Sequence, residues 1–114
     1  MNVLAPLTSS NQLTDIGSIH DVPARGARRF IYKDTKIAIF RDQNNHFYAL
    51  EDSCPHKQGP LSQGIVHDEC VTCPLHNWVI SLKTGEVKGP DEGQTRIFDL
   101  SVENERLLID LSAL

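Results

Sequence analysis

The sequence predicts an all-β fold built from stacked antiparallel sheets. Three observations point there. Short runs of β-branched and aromatic residues recur between clusters of turn-forming residues. No stretch carries apolar residues at the spacing of a long amphipathic helix. The length of 114 residues, with 39% hydrophobic and 23% charged residues, suits one ordinary globular core rather than two. One domain over residues 1–114 is therefore expected.

Taken in order, the first dozen residues read as a loose lead-in, and residues 13–19 fit either a turn or a short strand. Arg28-Arg29-Phe30-Ile31-Tyr32 is strand material running to a Lys33-Asp34 turn. Lys36-Ile37-Ala38-Ile39-Phe40-Arg41 follows, then the turn cluster Asp42-Gln43-Asn44-Asn45, then His46-Phe47-Tyr48-Ala49-Leu50. Together these form a three-strand meander. Pro55, Gly59, Pro60 and Gly64 exclude a helix interior or a central strand over residues 51–64. Val71-Thr72 leads into Cys73, and Trp78-Val79-Ile80 leads through Ser81-Leu82 to a Lys83-Thr84-Gly85 turn. Glu86-Val87 returns before the loop at residues 89–93. Arg96-Ile97-Phe98-Asp99-Leu100 and Arg106-Leu107-Leu108-Ile109-Asp110 supply two last strands across an Asn104-Glu105 turn.

Charge narrows the function classes. Eleven Lys and Arg against fifteen Asp and Glu give a net charge of −4, with the signs interspersed. No basic stripe is available for a phosphate backbone, so no nucleic-acid partner is expected. No apolar run is long enough to cross a bilayer, and Met1-Asn2-Val3-Leu4-Ala5-Pro6 lacks the pattern of a signal peptide. A cytoplasmic protein with no membrane partner is expected. Three cysteines are too few, and odd in number, for a disulfide framework, so clustered Cys and His point to a metal.

The feature that carries chemistry is Cys54-Pro55-His56 followed, after sixteen intervening residues, by Cys73-Pro74-Leu75-His76. Each half-site offers one thiolate and one imidazole from a Pro-containing turn, and rigid turns lower the entropy lost in assembling a site. This is the donor set of a centre in which two Cys hold one iron and two His the other. The same four residues also satisfy a tetrahedral zinc, and Cys70-x-x-Cys73 looks like half of a zinc knuckle. Against that, C-x-H is a tight spacer, and positions 70 and 73 on a strand point to opposite faces. Cys70 reads as a packed thiol; His20, His46 and His67 read as surface or structural residues.

Through Cys54, His56, Cys73 and His76 the chain resembles Rieske-type [2Fe-2S] proteins. More closely, it resembles the small subunits of bacterial NAD(P)H-dependent nitrite reductases. Two runs carry that closer likeness: Cys54-Pro55-His56-Lys57-Gln58-Gly59-Pro60-Leu61-Ser62-Gln63-Gly64-Ile65-Val66, and residues 72–86 with Asn77-Trp78 directly after the second ligand-type His. Asp91-Glu92-Gly93 follows them. Rieske ferredoxins of ring-hydroxylating dioxygenases typically place Gly after that His. The resemblance implies a Rieske fold, with a cluster-binding portion at about residues 51–93 inserted in a β base. It implies a [2Fe-2S] cluster on Cys54, His56, Cys73 and His76, with His56 and His76 towards the electron acceptor. It also implies a large nitrite reductase subunit as partner, carrying sirohaem and flavin, using NAD(P)H, and reducing nitrite to ammonium. This chain has no G-x-G-x-x-G fingerprint and no catalytic residues of its own for that reaction.

High-potential respiratory Rieske proteins add a disulfide between the loops and two hydroxyls beyond the second His. Gly59, Leu75, Trp78 and Ile80 stand at those places and supply neither. A potential towards the negative end of the range of about −150 to +300 mV is therefore expected. Gly89-Pro90 resembles a loop packing over the cluster from a third side, and reads equally well as a plain strand connection. Trp78 reads as packing beneath the loop. A free-standing Rieske ferredoxin of an oxygenase, and a non-redox structural subunit with the four ligands empty or on zinc, are the alternative readings.

Overall fold

The computed structural model describes residues 13–55, 59–74, 78–89, 93–112 and 114. Among these residues, ten strands form three antiparallel sheets. β1 (Leu13–Ser18), β9 (Leu100–Glu103) and β10 (Arg106–Asp110) form one, in the order β1-β10-β9. β2 (Ala27–Tyr32), β3 (Thr35–Arg41), β4 (Phe47–Glu51) and β8 (Ile97–Phe98) form the second, in sequence order. β5 (Ile65–His67), β6 (Cys70–Thr72) and β7 (Val79–Ser81) form the third. The chain thus leaves the four-stranded sheet after β4, builds the third sheet, and returns at β8.

β3 is the middle layer. Along it, Ala38 and Phe40 enter one buried cluster with Leu50, Leu61, Val71 and Ile80. Ile37 and Ile39 enter the other, with Ala49, Leu107 and Ile109. A strand alternates its side chains between faces, so one buried on both faces reads as continuous apolar sequence. That is why the run Ile37-Ala38-Ile39-Phe40 carries no polar residue. In the third sheet, Val66, Val71 and Ile80 pair directly across β5, β6 and β7 and turn their side chains into the first cluster.

Three hairpins, β2–β3, β5–β6 and β9–β10, turn on two residues that both have positive φ: Lys33-Asp34, Asp68-Glu69 and Asn104-Glu105. This is the turn whose twist matches that of the flanking strands. Each pair contains the Asp or Asn that tolerates the left-handed region best.

The structure settles one open stretch, divides one expected strand and adds one strand to the sequence reading. Residues 13–18, open between turn and strand, form β1. The expected strand over residues 96–100 is two strands in different sheets, β8 and β9, with the chain crossing between sheets at Asp99. β5 was not foreseen, because three residues carry too little periodicity to register. Among the described residues, no helix is long and apolar enough to cross a membrane.

Candidate metal centre

The two half-sites sit at the ends of the third sheet and of β4, on the side of the first buried cluster. Cys54 and Cys73 are both fully buried and belong to that same cluster, with Leu61, Val71 and Leu82 around them. The two turns close alike. The Cys54 N–H donates to the Gly59 carbonyl at 2.8 Å, and the Cys73 N–H donates to the Trp78 carbonyl at 2.7 Å. A buried thiol stands at the start of each closure. His56, His76 and Asn77 lie outside the described residues.

Behind Cys73 the neck is the β6–β7 ladder, with Thr72 opposite Val79. Trp78 packs, partly buried, against the cluster that holds the two cysteines. Behind Cys54 the chain is tied by side chains. Thr95 Oγ1 donates to the Ser53 carbonyl at 3.0 Å and lies 3.3 Å from that of Glu51. Asp52, also buried, accepts from the Ser62 N–H and hydroxyl, both at 2.7 Å. Pro90 lies outside the described residues, but the far end of its loop does touch the first turn. A Cβ added to Gly93 would meet Pro55 Cβ at 3.1 Å.

Cys70 is buried but lies outside the cluster containing Cys73. It pairs with His67 on β5 and Ser81 on β7, on the face opposite Val71. None of the three cysteines is in a disulfide. Two buried thiols brought to one core by two closed turns fit a cluster whose sulfur side is shielded from water, and a thiolate is the form that binds metal.

The remaining histidines have other partners. His20 lies 3.2 Å from Glu105, and His67 Nε2 is hydrogen-bonded to the Thr72 hydroxyl. His46, with Asp42 and Glu69, forms a group the sequence did not reveal, its ligand-type atoms within 4.8 Å of one another. Those atoms are already engaged. Asp42 accepts from the N–H groups of Asn44 and His46 and from the Tyr48 hydroxyl. Glu69 pairs with Lys83 at 3.0 Å. The group brings the β3–β4 turn up against the β5–β6 turn. Burial pushes the Asp42 carboxyl up, but its three hydrogen bonds outweigh that and hold it below the usual carboxylate range. Burial, and then the hydrogen bond to Asp42, push the Tyr48 phenol well up.

Comparisons with known proteins bear on the family and the fold. The Rieske [2Fe-2S] domain profile matches residues 12–99. The biphenyl dioxygenase ferredoxin subunit of a Pseudomonas species is 31% identical over 97 residues, 83% of this chain and 88% of that one. The 4β-methylsterol monooxygenase of Methylococcus capsulatus is 43% identical over 54 residues, 47% of this chain but only 15% of that longer protein. Among solved structures, the ferredoxin of carbazole 1,9a-dioxygenase from Nocardioides aromaticivorans gives a TM-score of 0.77 at 22% identity, over 86% of this chain and 96% of that one. That is a likeness of fold. A chain provisionally described as a nitrite reductase (NADPH) small subunit gives 0.74 at 25% identity, over 85% and 98%.

Proposed function

We propose, from the premise that this chain belongs to the Rieske [2Fe-2S] domain family, that it is the electron-relay small subunit of an NAD(P)H-dependent nitrite reductase, with Cys54, His56, Cys73 and His76 as cluster ligands. The chain is a Rieske electron-transfer domain, a component of an oxidoreductase system, and its cofactor is a [2Fe-2S] cluster. When bound, that cluster supplies one-electron redox capacity at a potential its surroundings tune.

The chain's own residues then have three tasks. Cys54 and Cys73 provide thiolates inside a packed apolar cluster, where water is kept from the sulfurs. The backbone closures at Gly59 and Trp78 draw the ends of each half-site together, which lowers the entropy of assembly. His56 and His76 provide neutral imidazoles, so the oxidised site carries less negative charge than one with four thiolates and accepts an electron more readily. Catalysis on nitrite belongs to the large partner subunit.

The observation that carries the nitrite reductase reading is the run Asn77-Trp78-Val79-Ile80 after His76, with Trp78 packed on the cysteine cluster. The 25% likeness to the nitrite reductase small subunit, over 98% of that chain, supports it. A second reading, ferredoxin of an oxygenase system, draws on the 31% identity to the biphenyl dioxygenase ferredoxin subunit. Affinity purification from the native host without air, followed by EPR, iron analysis and identification of the bound partner, separates them. Co-purification of a large sirohaem protein, with a rhombic signal of low average g, is the expected result. Recovery of an oxygenase instead shifts the assignment to the second reading. A silent sample after reconstitution removes the relay.

A further inference from the structure

The two half-sites are each closed by one backbone bond, at Cys54 and at Cys73, but are held differently at their necks. Cys73 follows directly on paired strands, so the β6–β7 ladder holds its loop. Cys54 has no such ladder behind it. β4 ends at Glu51 with β3 and β8 as its neighbours, and residues 59–64 on the returning side lie in no strand. Among the described residues, the Asp52 side chain links the two limbs, while Thr95 ties the outgoing limb alone. Asp52 Oδ1 accepts from the Ser62 N–H and Oδ2 from the Ser62 hydroxyl, each at 2.7 Å. Arg29 Nε, on β2, lies 3.1 Å from the same Oδ2. The Asp52 N–H donates to the Lys36 carbonyl of β3 at 2.7 Å, so the residue is tied to the base by its backbone as well.

The Asp52 side chain is 0% exposed. A buried carboxylate is costly unless donors surround it, and a bond in which one partner is charged is about twice as strong as a neutral one. The donors come from two directions: Arg29 from the base, Ser62 from the returning limb beside the buried Leu61. The carboxylate therefore joins base, outgoing limb and returning limb at one point, two residues before Cys54.

We propose that Asp52, held by Arg29 and Ser62, is a positioning residue for the relay: it stands in for strand pairing at the neck of the first half-site and fixes how Cys54 is presented. This rests on the assignment of Cys54 as a cluster ligand. The second loop, with its own ladder, is independent of it.

The test compares Asp52→Asn and Ser62→Ala with the parent, as cluster-loaded protein. The amide in Asp52→Asn keeps one acceptor oxygen and turns an NH2 towards existing donors, whereas Ser62→Ala removes a single bond and leaves the charge. Hydrogen exchange over residues 52–64 is expected to quicken about tenfold in Asp52→Asn and several-fold in Ser62→Ala, with residues 70–81 unchanged. The midpoint potential and the EPR line widths shift in both. Equal quickening of both segments, or a parent-like potential and spectrum, overturns the proposal. Should Asp52→Asn fail to fold, Ser62→Ala decides alone. Cys54→Ser tests the ligand assignment separately: retained iron there removes that assignment, whereas a parent-like spectrum in Ser62→Ala removes only the role of the neck.

Discussion

Replacing Gly64 by Ala sets a packing cost that can be worked from the structure. Gly64 has φ −81, which any residue adopts, so the backbone conformation adds no penalty. The cost is steric. An added Cβ would lie 2.3 Å from the Thr72 carbonyl oxygen and 2.9 Å from Val71 Cγ2, where real contacts do not fall below 3.0 Å. The oxygen belongs to β6, paired with Ile65 of β5, and cannot swing aside as a side chain does. Overpacking of this kind costs about 1–3 kcal/mol. Restricting the unfolded chain by removing a glycine returns about 0.4–1 kcal/mol. The net loss is centred on about 1.3 kcal/mol, a fall in Tm of roughly 5–10 °C for a domain of this size. Because Thr72 precedes Cys73, the cluster-loaded variant should also lose iron faster to a chelator. The control is Gly26→Ala, where the nearest atom is the Pro23 ring carbon Cγ at 2.8 Å, which can shift by puckering. It should stay within about 0.5 kcal/mol of the parent. Thermal unfolding followed by circular dichroism reads all three proteins. A Gly64→Ala protein that melts with the parent, or a Gly26→Ala protein that loses as much, would refute the steric reasoning.

Other consequences follow from the two-sided middle layer and its surroundings. Phe40→Ala should cost about 3–5 kcal/mol and Ile109→Ala about 2–5 kcal/mol in denaturant titrations. Only the first should also lower iron content, since Phe40 alone shares a cluster with Cys54 and Cys73. The Asp42 carboxyl is held below its ordinary value, so its contribution is present above the unfolded value of about 3.9 and is lost as pH falls through the lower folded one. Asp42→Asn should therefore be less stable at pH 7 by about 1–3 kcal/mol, with a shallower loss of stability below about pH 4. Cys70→Ala should keep full iron content and an unaltered EPR spectrum. A vanished signal there would make Cys70 part of the metal centre.

Much of this protein is written locally. The strands over residues 27–51 and 106–110, and the Lys33-Asp34 and Asn104-Glu105 turns, follow from side-chain alternation and turn chemistry within a few neighbouring residues. So do the two half-sites, since C-x-H and C-x-x-H are patterns of adjacent positions. Folding then decided what neighbours cannot encode. It split residues 96–100 at Asp99, because the chain changes sheets there. It formed β5 from three residues whose pairing with β6, rather than whose own propensity, makes them a strand. It gave β3 two buried faces and divided its side chains between two clusters. Asp52 shows the difference most plainly. In the sequence it is an acidic residue in a Pro- and Gly-rich stretch. Its burial, and its hold on Arg29 and Ser62, exist only once β2 and the returning limb of the loop are brought to the same point. Turn chemistry acts over two or three residues and is legible in one dimension, whereas the satisfaction of a buried charge depends on donors from distant segments, which only the tertiary structure supplies.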